Sequence, residues 1–103
     1  MLMSPENLCK AIDKELPITI IDVRSKMEYQ SGHVPGAVHL PFYKALFSAS
    51  SIGEKRTKDV ILYCEHGPRA YIAKLGFSLA GYRRVGYLKG HMNAWRTGNF
   101  PIQ

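Results

Sequence analysis

Cysteine is scarce in this chain. Cys9 and Cys64 are the only two, too few to staple a small fold through disulfides. Long apolar runs are missing as well: the longest, such as Val60 to Cys64, fall far short of the roughly 18 residues that a membrane span needs. No basic segment followed by an apolar core opens the chain, so no signal peptide is expected. Four histidines, His33, His39, His66 and His91, lack the paired Cys/His spacing of a zinc site, and no metal is expected. There is no internal repeat or low-complexity stretch. Acidic residues are also few: 8 Asp and Glu stand against 14 Lys and Arg, for a formal charge of +6.

What is present reads as an ordinary globular protein. With 103 residues, 46% hydrophobic and 21% charged, the chain is expected to form one domain over residues 1–103. Such a domain buries roughly two-thirds of its unfolded surface without help from metal or disulfides. The basic residues gather at Lys55, Arg56 and Lys58 and again at Arg83, Arg84 and Lys89. Neither cluster lies on a clear amphipathic helix or beside a docking motif, so neither nucleic acid nor a membrane is expected as partner. A positive field that draws in a small anion fits better. A cytoplasmic location is expected.

Strands and helices alternate along the chain. Ser4-Pro5-Glu6 opens a helix, with Leu8, Ile12 and Leu16 as its apolar stripe and Pro17 as its end. Residues 18–23 and 60–63 are β-branched and nearly continuous in apolar character, as in strands covered on both faces of a parallel sheet. Ser25 and Glu28 form a capping box over a short helix at 26–30. A turn at 32–37, a short strand at 38–40 and a helix from about 43 follow. Next come a polar linker at 48–58, a helix at 70–80 that is apolar almost all round, a strand at 83–88 and a helical turn or two at 91–96. Gly81 closes the longest helix. The class is α/β with a mainly parallel sheet.

Cys64 falls where a buried strand gives way to a helix, which in open α/β sheets is where ligands bind. A loop entering a helix offers unpaired N–H groups and the positive end of the helix dipole, a setting that favours a thiolate. Gly67 lets the loop curl into an anion cradle, Pro68 restricts it and can open the helix, and Arg69 adds a permanent cation. The alternative is a small buried hydrophobe at a strand end, but the Gly, Pro and Arg at close spacing favour function. Cys9, in mid-helix with no such neighbours except Lys10, reads as structural.

Cys64-x-x-Gly67-x-Arg69 after Val60-Ile61-Leu62-Tyr63 resembles the active-site loop of single-domain rhodanese sulfurtransferases. Ile21-Asp22-Val23-Arg24, Glu28-Tyr29 and Gly32-His33-Val34-Pro35-Gly36-Ala37 are similar to the family's first signature, and Trp95-x-x-Gly98-x-x-Pro101 to its last. The resemblance spans nearly the whole chain and implies a five-stranded parallel sheet with helices on both faces. It also implies sulfane-sulfur transfer by a covalent two-step route. The Cys64 thiolate would take the outer sulfur of thiosulfate or a persulfide donor, and a thiophilic acceptor such as cyanide, a thiol or a protein would receive it. The backbone of Glu65, His66, Gly67, Pro68, Arg69 and Ala70 would hold the persulfide, Arg69 would help bind the anionic donor, and no cofactor would be needed.

Related phosphatases and arsenate reductases on the same fold place one more residue between Cys and Arg; the four here, Glu65 to Pro68, favour sulfur. A persulfide carrier or binding module with little free turnover is the other reading. The loop also does not resemble that of 3-mercaptopyruvate enzymes. Glu65, directly after the nucleophile, would oppose a thiolate if it pointed inward, with His66 able to offset it. Lys89 before Gly90 stands where the family often has paired glycines. Asp22 and Arg24 either bind substrate or pair with one another to shape the site, and pairing is favoured because partly buried charges need partners. His33 and Pro35 fix a turn, Trp95 packs in the core or at its edge, and His39 and His91 are unassigned.

Overall fold

The structure, a computed structural model, describes residues 1–53 and 56–103. Lys55 of the first basic cluster and part of the expected linker thus lie outside the described residues. Five parallel strands form one sheet in the order β1 (Leu2–Met3), β5 (Val85–Leu88), β4 (Asp59–Tyr63), β2 (Ile18–Asp22) and β3 (Val38–His39). The helices are α1 (Pro5–Asp13), α2 (Lys26–Gln30), α3 (Phe42–Ser48), α4 (Pro68–Leu79) and α5 (His91–Thr97).

The two central strands match the apolar runs expected of them, and their side chains alternate between two cores. Ile21, Leu62 and Cys64 pack with Ala45, Ala73 and Phe77 from α3 and α4. Ile20, Ile61 and Tyr63 pack on the other face with Leu8 of α1 and Met92 and Trp95 of α5. The sheet is therefore covered on both faces, and Cys64 lies at the carboxyl end of its central strand. Trp95 is fully buried and donates its indole N–H to the Pro101 carbonyl at 2.7 Å.

Three local expectations shift. β1 was not anticipated; with two residues it is too short to show periodicity. The first helix ends at Asp13, well before Pro17, because Glu15 turns left-handed at φ 53° and Leu16 swings out to half exposure. The longest helix buries one face only. Ala70, Ala73, Gly76 and Phe77 face inward, while Tyr71, Ile72, Leu75 and Leu79 are exposed. Small residues line the inner face because α3 crosses closely: a β-carbon on Gly76 would lie 2.1 Å from the Ala45 carbonyl oxygen.

Candidate active site

The loop from Cys64 to Gly67 joins β4 to α4, and its geometry turns the Gly67 N–H toward the sulfur. The carbonyls of Cys64 and Glu65 are drawn away by the first turn of α5, accepting from Met92 N–H at 2.9 Å and Asn93 N–H at 3.2 Å. Gly67, at φ 130°, bends the chain back so that its N–H donates to Cys64 Sγ at 2.9 Å. No side-chain oxygen caps α4; the sulfur lies at the positive end of the helix and accepts from the N–H of the residue that precedes it, Gly67. Cys64 is only 1% exposed.

The six residues expected to hold the persulfide differ in what their backbone offers. Pro68 has no N–H to give, and the Ala70 N–H is spent on the Gly67 carbonyl at 3.0 Å. Gly67 is engaged with the sulfur, while the amides of Glu65, His66 and Arg69 meet no protein acceptor among the described residues.

Both charged neighbours of the cysteine have partners. Glu65 places one carboxylate oxygen 3.5 Å from Arg24 and pairs the other with Arg96, so its charge is compensated by two cations and does not stand alone against the sulfur. Arg69 is held by Glu28 through two bonds of 2.6 and 3.0 Å. Glu28 serves twice, since it also accepts from the Ser25 N–H in the expected capping box. The Arg69 hydrogen bond, followed by opposing burial and the Ser25 bonds, leaves the Glu28 carboxyl at about 2. The Arg69 cation is strengthened by the Glu28 hydrogen bond first, and also by the charge of Cys64. Because the Glu28 value is depressed from an ordinary 4.5, the pair stabilises the fold above about pH 4.5 and that contribution disappears as pH falls toward 2. The denaturant midpoint is expected to drop between pH 5 and pH 3 by more in the wild type than in Glu28→Gln.

Asp22 and Arg24 lie beneath the loop as a buried pair, 0% and 2% exposed. Asp22 accepts from the Arg24 backbone N–H at 2.9 Å and from its guanidinium at 2.8 Å, and from the Tyr63 hydroxyl at 2.7 Å. The Tyr63 oxygen in turn accepts from Val34 N–H, and Arg24 donates to the Gly32 carbonyl at 2.7 Å. Burial opposes the Arg24 cation, but the Asp22 hydrogen bonds and charge outweigh it and its pKa is raised. Burial and the Asp22 charge likewise push the Tyr63 hydroxyl up. One network thus ties the end of β2, the turn at 32–37 and the Cys64 loop. His33 hydrogen-bonds the Tyr29 carbonyl and stacks on its ring at 3.8 Å, within that turn.

His91 was unassigned, yet it touches the loop: its Nδ1 accepts the Cys64 N–H at 3.2 Å, and the side chain is buried. The consecutive left-handed residues are Gly90 (φ 73°) and His91 (φ 57°). His91 is the member of that pair that is not glycine.

A lone cysteine at the carboxyl end of the central strand of a parallel sheet, on a loop that opens a helix, defines a class of α/β proteins with a cysteine loop at the carboxyl edge of the sheet. Within that class the chain belongs to the rhodanese-like domain family, whose model matches residues 4–97. It is 32% identical to a sulfurtransferase of Allochromatium vinosum, across 94% of this chain and 89% of that protein. It is 27% identical to YrkF of Bacillus subtilis, named provisionally as a sulfur carrier, across 90% of this chain but only 49% of that one. The crystal structure of the Alr3790 protein from Anabaena superposes with a TM-score of 0.87 at 25% identity, covering 98% of this chain and 80% of the other. The names of the first two relatives are those of sulfur transfer and sulfur carriage. Among the described residues, no helix is long and apolar enough to cross a membrane.

Proposed function

We propose that this domain, acting over residues 1–103, is a thiosulfate-type sulfurtransferase with Cys64 as nucleophile. The observation that carries the reading is the Gly67 N–H aimed at Cys64 Sγ at 2.9 Å, at the positive end of a twelve-residue helix. Two negative charges must meet for a thiolate to attack thiosulfate, and fixed N–H dipoles that need no reorganisation lower that cost. The thiolate forms a bond to the outer sulfur, the sulfur–sulfur bond of thiosulfate breaks, and its electron pair leaves with sulfite. The remaining Cys64 persulfide is held by the loop amides until cyanide, a small thiol or a partner protein takes the outer sulfur. No cofactor enters either half. Four residues between Cys64 and Arg69 suit approach to a single sulfur better than enclosure of a phosphate. A cytoplasmic setting, where thiol acceptors abound, fits two free cysteines.

The test is intact mass after thiosulfate: a gain of one sulfur, about 32 Da, removed by cyanide as thiocyanate, is expected. Stoichiometric persulfide with slow cyanide turnover would instead favour a carrier, the reading to which the name of YrkF lends support. No added sulfur from any donor would sink both.

A further inference from the structure

His91 holds a backbone that its side chain disfavours. Its φ of 57° is left-handed, a region glycine enters freely and a β-carbon resists. The ring is nevertheless buried at 4% exposure and held at Nδ1. Nδ1 accepts the Cys64 N–H, so the proton of the neutral ring is on Nε2. Nε2 faces Gly67: a β-carbon placed there would lie 3.2 Å from it and 3.3 Å from the Tyr71 hydroxyl. An imidazole N–H and a phenol thus converge on the residue whose own N–H reaches the sulfur. The groups around the ring are Tyr71 from α4 and Tyr87 from β5, both with ring centroids 6.1 Å away, and Cys64 and His66 from the loop. Burial, and next the charge of His66, lower the His91 pKa and keep the ring neutral.

We propose that His91 Nε2–H, with the Tyr71 hydroxyl beside it, binds the sulfonate oxygens of a thiosulfate-type donor. This rests on the sulfurtransferase reading above and deepens it. The role matters because the guanidinium expected to bind that anion, Arg69, is already clasped by Glu28. As the sulfur–sulfur bond breaks, charge gathers on the departing sulfite, and a donor fixed at its oxygens stabilises that change. The same ring, through Nδ1, positions the Cys64 backbone.

The test compares two donors, thiosulfate and inorganic polysulfide, which carries sulfane sulfur without sulfonate oxygens; loading of Cys64 is followed by mass. His91→Gly suits the left-handed backbone but empties the space of a buried ring and frees the Cys64 N–H, so the melting temperature is expected to fall and the two loading rates are read only as a ratio. The variant is expected to lower the ratio of thiosulfate to polysulfide loading rates about tenfold, the size of one hydrogen bond to a charged group. Tyr71→Phe removes one oxygen from an exposed side chain; it should leave folding intact and lower the same ratio by about threefold. Unchanged ratios in both variants overturn the proposal, whether the individual rates stay or fall together. Wild type loaded by polysulfide but not by thiosulfate also overturns it, while leaving sulfur transfer in place. Wild type loaded on Cys64 by neither donor sinks the sulfurtransferase reading itself.

Discussion

Cys64→Ser is expected to abolish the one-sulfur mass gain and to cut thiocyanate formation to about one thousandth of wild type or less. A serine hydroxyl is not ionised at neutral pH and cannot form a persulfide, so the first step of the reaction lacks its thiolate nucleophile. The substitution is otherwise mild. A hydroxyl is smaller than a thiol, and the Gly67 N–H that now reaches Sγ has an oxygen to donate to. The unfolding midpoint should therefore stay near that of wild type, which assigns the loss to chemistry rather than to folding. Cys9→Ser is the companion variant. Cys9 lies on α1, packed against the opposite core from the loop, and its loss should leave turnover intact. Turnover in Cys64→Ser above a tenth of wild type would remove Cys64 as the nucleophile.

The parts of the site legible in the sequence are those built from local rules. Residues 18–22 and 59–63 form strands because their β-branched apolar side chains fill both faces of the sheet, and the loop follows β4 directly in the chain. The Ser25–Glu28 capping box is equally local. Arg69 shows where local reading stops. Its spacing from Cys64 marked it as an anion binder, yet its partner Glu28 is 41 residues away and meets it only when β2 and β4 pair in register. Glu65 is the converse. Alone it threatened the thiolate, and only the fold supplies Arg24 and Arg96 to hold it. His91 stayed hidden because left-handed backbone leaves no mark on periodicity when the residue is not glycine.

Asp22→Ala is expected to lower the unfolding free energy by about 3–5 kcal/mol, the cost of leaving a buried charge without its partner. Arg24 is 2% exposed, so water cannot replace the carboxylate. The remaining contacts to the Gly32 carbonyl and, at 3.5 Å, to Glu65 do not balance a full charge. Tyr63, whose hydroxyl donates to the same carboxylate, would be orphaned with it. Set against the roughly 5–15 kcal/mol that holds a typical domain together, such a loss brings the variant close to unfolding. The double variant Asp22→Ala with Arg24→Met removes both charges and should recover part of the loss. Denaturant unfolding of the two single variants and the double one gives the coupling directly. A double variant no more stable than Asp22→Ala would mean that the buried charge is not what the carboxylate neutralises. The same network carries the loop, because Arg24 joins β2 to Glu65 beside the cysteine. Persulfide loading should therefore remain slow in the double variant even where stability returns, separating what the pair does for the fold from what it does for the site.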